Sequence, residues 1–265
     1  MSVSRLGCFG TSKDIEAVSH SGFDFIELNL KEIAEMSSGE FDSLAGRLVK
    51  NGIGADACSW ILPIDLDLTS PKNSPETWVP YLETGAERCR MIGTSVWVVG
   101  SGKGRSLKPE NGPAEDQKRR VKNFFMKVGE TAEKYGITAA LEPLGPANSN
   151  YLSTLEECAA FISENQSRLS MICDFRHMTS VNDKPEFIGR YPGLVVHAHI
   201  DNPESTERKC PRRNDRYDYS DFIQWISRSG IPRLSVEALD ENDLSVLADS
   251  AAFLRELCGK YGDVK

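Results

Sequence analysis

The sequence predicts a single (β/α)8 barrel spanning residues 1–265, and three observations lead there. Short β-branched or apolar runs alternate with longer segments of helical period, eight of each. The length of 265 residues matches the roughly 250 of one closed α/β barrel. No strand is followed by a GxGxxG turn, so an open doubly wound sheet lacks its signature.

The predicted strands are Arg5–Phe9, Phe23–Asn29, Gly54–Cys58, Ser95–Val99, Thr138–Glu142, Leu169–Asp174, Leu194–His199 and Leu234–Glu237. Helical segments lie between and after them, at 12–20, 40–50, 75–92, 115–135, 153–165, 184–190, 219–229 and 242–258. Each parallel strand needs a crossover helix, and closure leaves no unpaired edge. Ser153 or Thr154 ahead of Glu156 and Glu157 marks one helix start. Asp218 or Ser220 ahead of Phe222, Trp225 and Ile226 marks another. Gly52, Gly93, Gly136 and Gly230 stand where four helices should stop. The longest irregular stretches, 100–114 and 200–218, follow strands four and seven. In a barrel both lie at the C-terminal mouth, where loops shape a substrate pocket.

Composition narrows the class. Hydrophobic residues at 40% and charged residues at 26% fit a globular domain. No apolar run approaches the roughly 18 residues of a membrane span, and the opening MSVSRLGCFG lacks signal-peptide shape. The seven cysteines at 8, 58, 89, 158, 173, 210 and 258 form no CxxC pair. Their odd number and scatter suit reduced thiols in the cytoplasm better than a disulfide framework or a zinc ribbon. A net charge of −8 argues against a nucleic-acid partner.

Glu142, Asp174, His199 and Glu237 close strands five to eight, in TAALE, SMICD, VVHAH and LSVE. A single strand-end carboxylate is as ordinary as a helix cap. Four such residues on consecutive strands converge, because neighbouring strand ends meet at the barrel mouth. Three carboxylates packed together repel unless a cation neutralises them. Oxygen ligation with one imidazole suits a divalent ion: manganese or magnesium is favoured, cobalt and zinc also fit, and no cysteine joins the set.

Other residues flank this quartet. His177, in CDFRHM, sits beside the metal as a contact for substrate hydroxyls or a second metal, or else caps a helix. His197 shares a strand face with His199 one layer lower and reads as a core histidine, while His20 closes the first helix. Glu27 ends strand two in FDFIELN, where Asn29 shares its face; it reaches substrate hydroxyls or orders its own strand end. Trp60 offers an apolar wall to a sugar's C–H face or packs as any tryptophan does. Arg208, Lys209, Arg212, Arg213 and Arg216 interleave with Glu204, Glu207 and Asp215. That pattern is a solvated loop or a contact for a substrate carboxylate or phosphate. Ser101-Gly-Lys-Gly is a second candidate anion contact.

At these residues the sequence resembles the xylose-isomerase-like superfamily of sugar isomerases and epimerases. Within it, the likeness is to the ketose 3-epimerases of the D-tagatose and D-psicose type. Four segments carry it: LEPLGPANSNYLST (141–154), CDFRHM (173–178), VVHAHIDN (195–202) and LSVEAL (234–239). The resemblance implies one divalent metal on Glu142, Asp174, His199 and Glu237, with the two glutamates doubling as the proton-transfer pair and His177 contacting substrate. It also implies a metal-dependent isomerase acting on a small carbohydrate through an enediolate. If Glu142 and Glu237 address opposite faces of one carbon, the outcome is epimerisation. If one group moves the proton between neighbouring carbons, it is aldose–ketose isomerisation.

The sequence departs from that pattern in two places. The substrate-contacting glutamate six residues after the first ligand is Asn148 here, and the arginine six residues after the metal histidine is Ser205. Arg208-Lys-Cys-Pro211 restores the arginine-to-proline spacing if the loop carries a three-residue insertion, although Arg212 follows Pro211 in place of glycine. The reaction class therefore transfers further than the substrate. A lyase of the inosose dehydratase or 3-keto-glycoside-eliminating kind is the main alternative, and a non-catalytic sugar-binding barrel is another. The abasic-site endonuclease on the same barrel takes extra histidines from strands three and four, but the histidines here stand at 20, 177, 197 and 199. A homo-oligomer is an analogy from related barrels.

Overall fold

Eight parallel strands close on themselves in chain order, each pairing with the next and the last with the first. They are β1 (Arg5–Gly10), β2 (Phe25–Asn29), β3 (Gly54–Ser59), β4 (Val96–Val99), β5 (Thr138–Leu141), β6 (Ser170–Asp174), β7 (Val195–Ile200) and β8 (Arg233–Val236). The computed structural model describes residues 3–204, 207–238 and 243–262. Around the barrel run α1 (Ile15–His20), α2 (Leu30–Glu35), α3 (Ser38–Lys50), α4 (Val79–Met91), α5 (Gly102–Arg105), α6 (Ala114–Lys134), α7 (Leu155–Glu164), α8 (Phe175–Ser180), α9 (Ser220–Arg228) and α10 (Leu244–Gly262). No helix among the described residues is long and apolar enough to cross a membrane.

The predicted stops and starts explain the helix boundaries. Gly52, Gly93, Gly136 and Gly230 adopt φ of 61°, 83°, 72° and 71°, the left-handed turn that ends a helix. Thr154, not Ser153, caps α7: Glu157 N–H donates to its hydroxyl at 3.1 Å. Asp218 accepts the Ser220 N–H at 2.9 Å, and α9 then buries Phe222, Ile223 and Ile226. Four stretches differ from expectation. Pro185–Arg190 winds only as a 3-10 helix, while the turn leaving β6 is the true helix α8, capped by Asp174 itself (His177 N–H to Oδ1, 2.7 Å). Asn29 likewise caps the unforeseen α2, accepting the Lys31 N–H at 2.9 Å. The stretch between Ser59 and Pro75 forms a long irregular mouth loop, a counterpart to those after β4 and β7.

Strand side chains alternate between two cores. The large outer core packs Ile26, Leu28, Trp97, Val99, Leu141 and Val236 against helix residues such as Leu82, Phe124, Phe125 and Leu254. A small inner plug of Phe25, Ala57, Val96, Val98, Ala140 and Ile172 fills the barrel axis. The inward parity of Phe25 continues up the strand to Glu27, and that of Ile172 to Asp174. The His197 ring lies 6.4 Å from that of Phe25, so β7 presents His197 and then His199 inward too. The apolar plug thus forms the floor on which the polar site rests.

Gly7 faces Phe25 across the β1–β2 register. A methyl group there would overlap the Phe25 ring, so the plug fits only because β1 carries no side chain at this point. Gly7→Ala is expected to cost about 1–3 kcal/mol, read as a lower midpoint in urea unfolding.

Candidate metal centre

Parity and strand ends together bring the four candidate ligands to one place. Asp174 ends β6 and His199 lies in β7, while Glu142 and Glu237 follow β5 and β8 by one residue. The backbone N–H groups of those two glutamates donate to Val99 O at 3.1 Å and to Ile200 O at 3.0 Å, which extends the ladder through them. Oxygens of the three carboxylates and a nitrogen of His199 all lie within 4.8 Å of one another. His199 Nδ1 stands 3.4 Å from Glu142, 3.7 Å from Glu237 and 3.8 Å from Asp174. It is buried and makes no hydrogen bond of good geometry. An orphaned imidazole nitrogen facing three carboxylates is the donor set of a divalent ion, and the residues fit one.

The electrostatics show the same demand for positive charge. Burial opposes a charge on His199, yet Glu27, Glu142 and Glu237 hold its pKa well above the usual value. Burial raises Glu237 and Arg208 opposes it, but Glu142 adds to the rise, to about 8. Asp201, buried and next to Asp174, rises to about 6 in spite of Arg208 and Arg176. Burial also raises Asp174, but His177 and Arg208 outweigh it and hold it below the ordinary range.

Arg208 is the inward-turning cation of the basic loop. It donates to Glu237 Oε2 at 2.8 Å and to Asp201 Oδ2 at 3.2 Å, and stands 4.0 Å from Asp174 and 3.4 Å from His177 Nε2. Lys209, Arg213 and Arg216 instead pair along the surface with Glu207, Glu256 and Glu204. Ser205, at the unshifted arginine position, lies outside the described residues. His177 is buried in α8, where its Nδ1 accepts the Gly145 N–H at 3.2 Å. Its Nε2 faces the Arg208 guanidinium and lies 4.0 Å from Glu142 Oε1.

The mouth holds a cavity of about 240 Å³ lined by the polar Glu142, His199, Glu237 and Arg208 and by the apolar Trp60, Leu62, Ile64, Leu144 and Val98. Asn148, Ser101 and Lys103 complete its rim. Trp60 sits at φ 53°, its ring 5.8 Å from Phe9, and remains 42% exposed. Gly100 keeps the floor open, since a Cβ there would come within 2.6 Å of Glu142 Oε2. Glu27 corrects the expectation of a substrate contact. It is the middle residue of β2, not its end, and lies wholly buried beneath His199. His197 is the expected lower-layer histidine, 3.0 Å from the same carboxylate. Ser59, which ends β3, and Gly100, which follows β4, also line the mouth, and neither carries an imidazole.

Residues 15–257 match the xylose isomerase-like TIM barrel family. The chain belongs to that family. It is 32% identical over 185 residues to an L-ribulose 3-epimerase of Mesorhizobium japonicum, a match covering 68% of this chain and 60% of that relative. A solved L-ribulose 3-epimerase superposes with a TM-score of 0.80 at 23% identity, over 97% of this chain and 95% of the other. A 3-keto-D-glucoside 4-epimerase from E. coli does so with 0.79 at 17% identity, over 96% and 99%. At these identities, the two structures speak for the shared barrel alone.

Two groups at this xylose isomerase-like site escaped the sequence reading. Asp201, in the HIDN segment, joins Arg208 to Arg176, whose Nε donates to it at 2.6 Å. Arg105 is fully buried, donating to the carbonyls of Gly100, Glu142 and Leu152 at 2.9 Å each. It holds the backbone of a metal ligand, and its only trace in the sequence is that it closes the SGKGR stretch. Arg105→Met would leave three carbonyls without this donor and is expected to destabilise by at least about 3 kcal/mol in urea unfolding. Arg105→Lys should recover part of that loss.

Proposed function

We propose that the protein is a divalent-metal-dependent sugar epimerase acting at the carbon beside the carbonyl of a ketose. The observation that carries this reading is the pairing of Glu142 and Glu237. Both open onto one cavity, and they come from β5 and β8, with the ligands of β6 and β7 between them. Two carboxylates reaching a bound substrate from different sides can take a proton from one face of a carbon and return one to the other.

A divalent ion on Glu142, Asp174, His199 and Glu237, manganese or magnesium by preference, would polarise the ketose carbonyl and stabilise charge on its oxygen. Glu142 and Glu237 serve as the acid–base pair around the resulting enediolate. His177 and Arg208 hold substrate oxygens beside them, and Arg208 takes the part that the shifted loop spacing assigns to it. Trp60 backs the apolar face of the sugar, while Asn148 meets its polar end where the resembled enzymes carry a glutamate. The cavity lies below the roughly 300 Å³ at which drug-sized pockets begin, so the ligand is one small carbohydrate. The relatedness to an L-ribulose 3-epimerase favours a ketopentose or ketohexose. Lys103 at the rim would also accept an anionic group on that sugar.

Solvent deuterium should enter the carbon next to the carbonyl when the manganese-loaded protein meets its ketose, with recovery of the epimer. Glu237→Gln is expected to lower that exchange by about 10²–10⁴-fold. Absence of exchange across ketopentoses, ketohexoses and keto-glycosides would overturn the reading, and products that have lost water would replace epimerisation with elimination.

A further inference from the structure

Beneath the four ligands lies a second buried cluster that takes no part in the proton transfers above. Glu27 has no exposed surface and accepts from three sides. Its Oε1 accepts the Ser59 hydroxyl and lies 3.0 Å from Nε2 of His199. Its Oε2 lies 3.0 Å from Nε2 of His197 and 3.3 Å from Nε2 of His199. The Ser235 hydroxyl stands 3.2 Å from that same His197 nitrogen.

A carboxylate only accepts, so each imidazole presents its Nε2–H to Glu27. In the neutral imidazole that a metal requires, this leaves Nδ1 of His199 as the lone-pair nitrogen, the atom that faces Glu142, Asp174 and Glu237. The His197 and His199 rings stand at 86° with centroids 5.1 Å apart, so Glu27 grips them from two directions. Ser59 ties the carboxylate to β3. Thus β2, β3 and β7 together fix the orientation and tautomer of a ligand borne by β7 alone. The ligand atoms of Glu27, His197 and His199 are also close enough to surround an ion. Both Glu27 oxygens are already taken by donors, however, and none of these residues opens to the cavity in more than a trace.

From this geometry, and resting on the metal reading above, we infer that Glu27 is a positioning residue for the metal site. It presents Nδ1 of His199 to the ion and so sets the affinity of the site, without touching metal or substrate. The carboxylate also makes the imidazole a stronger donor, as partners of ligating histidines do generally.

Calorimetric titration of Mn²⁺ into the chelator-stripped full chain tests this directly. The wild type should take one Mn²⁺ per chain, and Glu27→Gln should weaken that binding about 10–100-fold. With diamagnetic Zn²⁺ in place of Mn²⁺, ¹⁵N spectra of the imidazoles should show His199 bound through Nδ1 with Nε2 protonated, and a mixture of ring states in Glu27→Gln. A merely structural role would lower stability without moving either readout. Folded Glu27→Gln with wild-type Mn²⁺ affinity would overturn the inference. So would two Mn²⁺ per chain with one lost in that variant, since Glu27 would then be a ligand. Should Glu27→Gln not fold, Ser59→Ala carries the test: affinity is expected to fall by less than for Glu27→Gln, and unchanged affinity overturns the inference. A wild type that binds no Mn²⁺ would remove the metal reading itself together with this one, a failure separate from an unaffected variant.

Discussion

Five carboxylates, Glu27, Glu142, Asp174, Asp201 and Glu237, meet in and just below a barrel mouth where each is at most 8% exposed. Bringing that much negative charge out of water is the constraint to which the surrounding structure answers. Arg208 and Arg176 meet Asp201 and Glu237 from the mouth loop and α8, and two histidines meet Glu27 inside the barrel. What is left over is the space between Glu142, Asp174, Glu237 and a bare imidazole nitrogen. A divalent cation satisfies in one stroke what the protein's own groups satisfy only in part. The site is therefore loaded toward metal binding before any substrate enters.

The same constraint explains the apolar plug under the cluster. Charges gain from one another only where water is kept away, and Phe25, Val96, Val98, Ala140 and Ile172 exclude it from the barrel axis. Packing this floor demanded small residues opposite large ones, hence Gly7 against Phe25. Packing and chemistry meet at His197, which touches the Phe25 ring on one side and Glu27 on the other.

Much of this was legible in the sequence because it depends on a period of two and on strand ends. Parity placed Glu142, Asp174, His199 and Glu237 inward, and the strand termini placed them at one mouth. Parity says nothing about height. Glu27 carries the same inward signal, but β2 continues through Asn29, and two residues along a strand are one layer of the barrel. Its layer partner is His197, whose lower position followed from its spacing to His199; no comparable marker exists within β2. Arg208 was legible only through a spacing with an insertion, and its position beside Glu237 gives that insertion a physical meaning. Arg105 was not legible at all, since a guanidinium that binds three backbone carbonyls and the Ser149 hydroxyl leaves no paired acid in the sequence to betray it.

The loops divide the labour differently from the strands. The irregular stretch after β3 is bonded to the one after β4: Lys108 and Asn111 reach Asp67 at 2.8 and 3.0 Å, and Leu68 N–H donates to Gly104 O at 2.8 Å. This joined unit contributes Trp60, Leu62, Ile64, Ser101 and Lys103 to the lining of the cavity that Glu142, His199 and Glu237 also line. Arg105 belongs to the stretch after β4 and holds the Glu142 carbonyl, so the loop unit that builds this wall is tied to the backbone of a strand-end carboxylate. The strand ladder anchors the same residue through its own N–H, which donates to Val99 O. The strand-end residues are legible because parity and strand termini place them, whereas the wall is set by contacts between two loops that no period in the sequence records.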